Sequence, residues 1–306
     1  MCHYLSNENI HCFCDNKKAG KSFHGIPIIS YDELKKIYCD YTVVIALEKA
    51  VYIAEVIVRL LEDNIPFVMG QQIANSILEK DIQEYTSLNK RSTFRYEERN
   101  NYIISRDKYD YAGSIGSYFW QDLWAAKHIF ESKPSVHSDI GSRIDGFIAH
   151  LLSFGQKVQL FDIRPLDADI YGMEFVQCDA TNLSSVPDDS LESLSALCSI
   201  EHFGLGRYND PIDPEACFKC FDAIQSKMRK GGMVYLSVPI GKEHVEFNAH
   251  RVFYASTIKD SFPKMKLLEF SSAYKDKMEY NVDLNKYDKW TEYGGERFGL
   301  FRFVKE

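Results

Sequence analysis

The sequence predicts an α/β protein with a doubly wound, mainly parallel sheet and a second, smaller α/β domain on its amino-terminal side. Short apolar runs alternate with helical patterns along most of the chain. Three successive runs end in or next to an acid, at Asp139, Asp162 and Asp179, and Gly141 follows the first of them. Alternating strands and helices with short connections are typical of a parallel sheet with right-handed crossovers. Polar residues at the carboxyl ends of such strands indicate where a ligand binds.

Composition narrows the class of partner. The chain has 306 residues, enough for two domains, with 45% hydrophobic and 26% charged residues. A formal net charge of −8 opposes non-specific binding to nucleic acid or anionic lipid. The first residues lack the pattern of a secretion signal, and no apolar run approaches the ~20 residues of a membrane span. We therefore expect a cytoplasmic protein with reduced cysteines, no nucleic-acid partner and no membrane span.

Three segments are predicted. Residues 1–90 form the smaller domain, 91–130 a polar linker followed by an aromatic-rich helix over 118–130, and 131–306 the larger domain. In the smaller domain we predict a parallel α/β unit with strands at 10–14, 42–46 and 65–69, a helix capped by Ser30 and Glu33, and a helix over 49–64. The larger domain is predicted to contain strands at 136–140, 158–162, 175–179, 194–200, 233–239, 266–271 and 298–304. The last two strands could pair antiparallel, and 275–296 is a surface insertion that could act as a lid.

The acids and the glycine predict an adenosine site. A glycine turn after the first strand lets the backbone approach a ligand, and an acid about twenty residues later can accept hydrogen bonds from a ribose. These roles fit Gly141 and Asp162, with Asp139 at the same turn. A third acid, Asp179, suits the adenine edge together with its neighbour Ala180. Two structural alternatives stay open: the turn could be only a tight turn, and Asp162 could cap a helix or pair with Arg164.

The order of these residues, followed by 199–202 and 231–233, resembles the class I S-adenosylmethionine-dependent methyltransferases. The stretches 137–147, 201–208 and 247–253 resemble more closely a bacterial family called domain of unknown function 268, over roughly 113–271. This resemblance implies a Rossmann-like methyltransferase fold and S-adenosylmethionine as cofactor. In place of the usual second glycine the chain has Arg143, which could narrow the methionine pocket or bind a carboxylate of the cofactor or substrate.

A Glu-His pair follows the fourth predicted strand of the larger domain. Glu201 and His202 resemble the pair found in small-molecule O-methyltransferases, which implies that His202 takes a proton from an acceptor hydroxyl and Glu201 orients it. An unperturbed histidine pKa near 6.5 suits this role. The alternative is a histidine that only orders its loop. Loop residues on the same edge are candidates for acceptor binding: Arg207, Tyr208, Asn248, His250 and Arg251. The His and Glu spacing does not predict a metal site.

The smaller domain resembles, through 13–16 and 25–34, the Rossmann-like domains attached to sugar-modifying enzymes of surface polysaccharide synthesis. The chain begins too late for their glycine-rich loop, so we expect an accessory or dimerisation domain that binds no dinucleotide. The sequence thus predicts methyl transfer to a small acceptor, a sugar or glycan precursor. A binding or scaffold protein without cofactor and a nucleotide-sugar oxidoreductase are the alternatives.

Overall fold

The computed structural model describes residues 10–47, 49–104, 112, 113, 115–287 and 297–306. The chain forms two compact units, Met1–Ser114 and Ile115–Glu306. The aromatic-rich helix belongs to the second unit, whereas the sequence interpretation placed it in the connecting segment. No helix among the described residues is long and apolar enough to cross a membrane.

Among its described residues, the first unit has two small sheets and three α-helices. Its elements are β1 (Phe13–Cys14), β2 (Ser22–Phe23), β3 (Ile26–Ile29), α1 (Tyr31–Ile37), β4 (Val43–Ile45), α2 (Ala50–Glu62), β5 (Phe67–Met69) and α3 (Gly70–Leu88). The expected capping box is present, because the Glu33 N–H donates to the Ser30 Oγ and the Ser30 N–H donates to the Glu33 carboxylate. Tyr31, Ile45, Leu60 and Ile65 form its core.

Two features of this unit differ from the sequence interpretation. The unit is not wholly parallel: β3 pairs parallel with β1 but antiparallel with β2, and β4 pairs parallel with β5. The β2–β3 hairpin forms because His24 and Gly25 both adopt positive φ, as a two-residue hairpin turn requires. Helix α3 is absent from the predicted elements, although Ile73, Ile77 and Leu78 recur at a helical period.

The second unit is built on one large sheet. Its elements are α4 (Ser117–Ser132), β6 (His137–Ile140), α5 (Ala149–Ser153), β7 (Val158–Asp162), β8 (Met173–Gln177), β9 (Leu191–Leu197), α6 (Ala216–Lys227), β10 (Met228–Pro239), β11 (His244–Glu246), β12 (His250–Val252), α7 (Ala255–Asp260), β13 (Met265–Tyr274), β14 (Lys277–Glu279) and β15 (Arg297–Lys305). An irregular helical turn, Ile144–Ile148, precedes α5, and a 3₁₀ turn, Ile200–His202, follows β9.

Strand order confirms the predicted fold class. The eight-stranded sheet runs β14-β13-β15-β10-β9-β6-β7-β8. Strands β10, β9, β6, β7 and β8 pair parallel, while β15 lies antiparallel between β10 and β13, so the expected antiparallel pairing of the last two predicted strands is confirmed. Because β6 lies between β7 and β9, the chain winds away from β6 in both directions. The carboxyl ends of β6 and β9 therefore flank a topological switch point, where ligands bind in such sheets.

Helices cover both faces of this sheet. Successive strand residues point to opposite faces, and the neighbours Val234 and Tyr235 accordingly belong to different core clusters. The cluster around Tyr235 includes Trp124 of α4 and Leu151 of α5, and the cluster around Val234 includes Phe221 of α6. Apolar burial on both faces leaves the strand ends as the edge available to a ligand.

The predicted insertion over 275–296 is described only in part. It begins with the antiparallel pair β13–β14 and a 3₁₀ turn, Leu284–Lys286. Residues 288–296 lie outside the described residues, so its role as a lid stays a prediction.

Candidate functional site

A cleft opens where β6, β7, β8 and β9 end, and we call it the first cleft. It brings together six residues that the sequence analysis selected: Gly141, Asp162, Asp179, Ala180, His202 and Tyr208. Phe161, Ile163 and Phe203 add apolar lining. Its position at the switch point between β6 and β9 agrees with the predicted ligand edge.

Gly141 forms the turn directly after β6. Its φ is 75°, a left-handed conformation that L side chains rarely adopt. A Cβ at this position would lie 3.1 Å from the Ser199 Cβ, and the Gly141 N–H donates to the Phe161 carbonyl at 2.9 Å. The turn therefore brings the backbone close to the strand ends that carry Ser199 and Phe161.

Gly141→Ala is expected to destabilise the protein by more than Gly155→Ala. Both positions have positive φ, but a Cβ at Gly155 would meet nothing within 4 Å. Gly155→Ala should be destabilised only by the left-handed backbone strain, about 1–2 kcal/mol. Gly141→Ala should be destabilised by the same strain and, in addition, by the close contact with Ser199. Urea unfolding of both variants measures the difference. Equal losses would show that the Ser199 contact relaxes without cost.

Asp139 does not line the first cleft, which corrects its expected role at the methionine end. The carboxylate is fully buried and accepts hydrogen bonds from the Ser142 N–H and Oγ at 2.9 Å each and from the Ser195 Oγ. The Ser195 hydroxyl in turn contacts the His137 Nε2, inside the core. Burial raises the pKa of Asp139 to about 6, against the opposing effect of these hydrogen bonds. Asp139 thus holds the turn from below rather than meeting a ligand.

Arg143 also lies away from the cleft. Its exposed guanidinium pairs with Asp145, with Nε and Nη2 at 2.9 and 2.6 Å from the two carboxylate oxygens. It lines neither this cleft nor the second one described below. Its charge is therefore directed to its own loop rather than to either cleft.

Asp162 lines the cleft and is paired with Arg164, the structural alternative left open above. The Arg164 Nε and Nη2 lie 2.9 and 2.5 Å from the Asp162 oxygens, and the Arg164 N–H donates to Oδ1 at 2.8 Å. The Arg164 guanidinium packs over the Tyr208 ring at 4.7 Å from its centroid. Two carboxylate oxygens offer about four lone-pair sites, so these three hydrogen bonds leave Oδ2 able to accept one more.

Asp179 and Ala180 follow β8 at the far side of the cleft. The Asp179 Oδ1 accepts a hydrogen bond from the Thr181 N–H at 2.8 Å, which fixes the turn, and the Asp179 side chain is exposed. Ala180 is buried beside it. A carboxylate at an apolar wall formed by Phe161 and Ile163 can accept an N–H from a flat heterocycle.

A second cleft lies on the other side of His202. It is lined by Ser117, Tyr118, Glu201, His202, Arg207, Pro239, Ala249, His250, Lys275 and Phe298. His202 lines both clefts. The sequence analysis selected four of these residues and missed Tyr118 and Lys275. The aromatic residues in the predicted 118–130 helix were the available signal for Tyr118.

The ring of His202 is held in one orientation. Its Nδ1 lies 2.6 Å from the Ala249 carbonyl oxygen, so we assign the proton to Nδ1 and the lone pair to Nε2. Burial lowers the pKa of His202 to about 4, and the nearby Arg207 charge contributes in the same direction. The ring is therefore neutral at physiological pH, which corrects the expected pKa near 6.5.

Glu201 is 1% exposed, and its Oε1 lies 3.6 Å from the His202 Nε2. Burial raises the pKa of Glu201 to about 8, so the carboxyl is largely protonated at neutral pH. Its Oε2 has no hydrogen-bond partner within the part of the chain that the structure describes. Glu201 is thus a neutral acid facing the second cleft rather than a carboxylate that orients the imidazole.

Two of the expected acceptor-binding residues line neither cleft. Asn248 is exposed. Arg251 is buried and donates to the carbonyls of Phe203 at 2.6 Å and Pro214 at 3.2 Å, so it joins loops beneath the site. His250, by contrast, lines the second cleft, with its ring centroid 6.2 Å from that of His202. No group of three or more metal-ligating side chains occurs within the described ranges.

One family model matches part of the chain. Residues 169–296 match the DUF268 family model. That family is described as a Caenorhabditis protein of unknown function, and the match covers less than half of the chain. The resemblance to DUF268 is therefore confirmed over 169–296, a segment that contains Glu201, His202 and the second-cleft loops but starts after Gly141. A comparison with curated proteins finds no match.

Solved structures of several methyltransferases are similar to this chain. The 1,6-didemethyltoxoflavin-N1-methyltransferase of Burkholderia thailandensis, solved with 1,6-didemethyltoxoflavin and S-adenosylhomocysteine, is 16% identical; the alignment covers 78% of this chain and 92% of that chain, with a TM-score of 0.41. The N-methyltransferase NodS of Bradyrhizobium japonicum, in complex with S-adenosylhomocysteine, is 11% identical; the alignment covers 62% of this chain and 89% of NodS, with a TM-score of 0.41. A methyltransferase of Thermotoga maritima, described as a possible histamine N-methyltransferase, is 16% identical; the alignment covers 62% of this chain and 89% of that chain, with a TM-score of 0.41.

Proposed function

We propose that the second unit transfers a methyl group from S-adenosylmethionine to a small acceptor. The observation that carries the proposal is the position of His202 between two clefts, with Gly141, Asp162 and Asp179 in one and Glu201, Arg207 and His250 in the other. A transferase needs such an arrangement, because donor and acceptor must meet at one point while each is bound separately.

The residues of the first cleft fit the cofactor. Gly141 lines the cleft with a tight turn where a side chain would contact Ser199, the free lone pair of Asp162 Oδ2 can accept a ribose hydroxyl, and Asp179 stands beside an apolar wall suited to adenine. When bound there, S-adenosylmethionine would supply an electrophilic methyl group carried by a sulfonium sulfur.

His202 would act on the acceptor. With Nδ1–H donated to Ala249, the Nε2 lone pair can accept the proton of an acceptor hydroxyl. A base with a pKa near 4 takes this proton only as the oxygen loses electron density to the methyl carbon, so it acts late, in concert with transfer. A sugar or glycan precursor, suggested by the resemblance of the first ninety residues, is the acceptor we propose, with the first unit as an accessory or dimerisation domain.

One observation favours a second candidate, a binding or scaffold protein without the cofactor. Arg164 already occupies most of the hydrogen-bond acceptor sites of the Asp162 carboxylate. This pairing is expected where the acid has only a structural role. This pairing would leave the ribose without its principal acceptor if the last lone pair were blocked.

Calorimetry with S-adenosylhomocysteine and with NAD separates these functions. We expect S-adenosylhomocysteine to bind and NAD not to bind. Binding of neither compound would favour the scaffold protein and would contradict the proposed methyl transfer. Tight binding of NAD alone would indicate a dehydrogenase instead.

A further inference from the structure

The second cleft has basic side chains in a protein whose formal net charge is −8. Arg207 and Lys275 line it, and the acid in its wall, Glu201, is buried. Because burial raises the pKa of Glu201 to about 8 and lowers the pKa values of His202 and His250, these three groups are largely neutral at pH 7. The described lining therefore places the Arg207 guanidinium beside a neutral acid and two neutral imidazoles, with no ionised carboxylate among the lining residues that the structure describes.

The guanidinium of Arg207 is held beside the proposed base. Its Nη1 donates to the Ala249 carbonyl at 3.1 Å and lies 3.2 Å from the His202 Nδ1, and its Cζ lies 5.2 Å from the centroid of the Tyr208 ring. A guanidinium has five N–H donors in a planar fork that matches the oxygens of a carboxylate or phosphate. The contact with Ala249 uses one donor and fixes the direction of the others.

Glu201 supplies an independent observation. Its Oε2 is buried and has no hydrogen-bond partner among the described residues, and Glu201 is one of the residues that line the same cleft. A buried polar atom without a partner destabilises the protein, so a ligand that pairs with it gains affinity. In its neutral form the carboxyl can donate a hydrogen bond to a ligand oxygen and does not repel an anion.

We propose that the acceptor bound in the second cleft is an anion, a hydroxyl compound bearing a carboxylate or a phosphate, and that Arg207 binds its anionic group. This inference rests on the proposed function and names its substrate class. Arg207 selects the acceptor by charge, while Glu201 donates to one of its oxygens and its hydroxyl faces the His202 Nε2.

Three probes test this in the presence of saturating S-adenosylhomocysteine: D-glucuronate, D-glucose 6-phosphate and uncharged D-glucose, titrated by calorimetry at low and high salt. At least one anion should bind more tightly than glucose, and its affinity should fall as salt rises. Arg207→Gln should weaken that binding about tenfold to a hundredfold, because hydrogen bonds to charged groups contribute most. The better of the two anions identifies carboxylate or phosphate as the group recognised.

Arg229→Gln is the matched control. It removes the same charge, but Arg229 pairs with Glu192 at 3.1 Å and lines neither cleft. The proposal is overturned if neither anion binds, if glucose binds as well as the anions, or if the two arginine variants behave alike. Titrating S-adenosylhomocysteine alone reports separately on the proposed function: its failure to bind, with anion binding still lost in Arg207→Gln, would contradict methyl transfer but keep the anion site.

Discussion

Replacing His202 with alanine is expected to lower turnover by ~10²–10⁴ while leaving cofactor affinity nearly unchanged. The imidazole lines both clefts and presents its Nε2 lone pair, whereas the contacts expected to hold the cofactor come from other strand ends. Initial rates with a responsive acceptor and calorimetry with S-adenosylhomocysteine measure the two quantities.

In the wild-type protein, turnover should show no titration by His202 between pH 6 and 7, where an exposed imidazole changes charge. Because burial lowers the pKa of His202 to about 4, its free base is fully present above pH 5, and His202 should reduce turnover only as the pH falls through about 4. If turnover instead fell as the pH dropped through about 6.5, and this loss disappeared in His202→Ala, the lowered pKa of His202 would be contradicted.

Two variants distinguish a base from a histidine that only orders its loop. His202→Gln can still donate to the Ala249 carbonyl but lacks a basic nitrogen, so it should fold normally and lose turnover like the alanine variant. His244→Ala, whose ring contacts Lys242 and Glu246 outside both clefts, should retain activity. Recovered turnover in His202→Gln would favour the loop-ordering role.

Asp162→Ala is expected to weaken S-adenosylhomocysteine binding about tenfold to a hundredfold, the value of a hydrogen bond to a charged acceptor. It should weaken binding more than Asp179→Ala, because the exposed Asp179 is surrounded by water and gains less from a ligand. Calorimetry on the three proteins measures the affinities. Unchanged affinity in Asp162→Ala would contradict the ribose assignment.

Arg164→Gln is the control for an indirect effect. It breaks the ion pair but keeps the Asp162 carboxylate, so affinity should be retained or improved. Adenosine and 2′- or 3′-deoxyadenosine sharpen the test: the wild-type protein should prefer adenosine over at least one of them, and Asp162→Ala should abolish that preference. Equal losses in Arg164→Gln and Asp162→Ala would show that Asp162 acts only by holding Arg164.

The sequence by itself determined the fold class and which of the selected residues lie at the carboxyl edge of the sheet. Apolar runs alternating with helical patterns predicted a mainly parallel sheet, because strands buried on both faces must be apolar throughout. Gly141, Asp162 and Asp179 were predictable at one edge for a related reason: the carboxyl ends of parallel strands share that edge. Local signals such as the Ser30 capping box were equally readable, since their partners are three residues apart.

Only the tertiary structure decided how the selected side chains are used. Asp139 and Arg251 are residue types expected in a binding site, yet both are engaged inside the protein. Asp139 accepts hydrogen bonds from Ser142 and Ser195, and Arg251 donates hydrogen bonds to backbone carbonyls. The pairing of Asp162 with Arg164 was a stated alternative that spacing alone could not select. The pKa values of Glu201 and His202 depend on burial by distant segments, which no local pattern records. The second cleft likewise brings together Tyr118, Arg207 and Lys275 from separate parts of the chain. Only the folded chain decides which distant side chains line the same cleft.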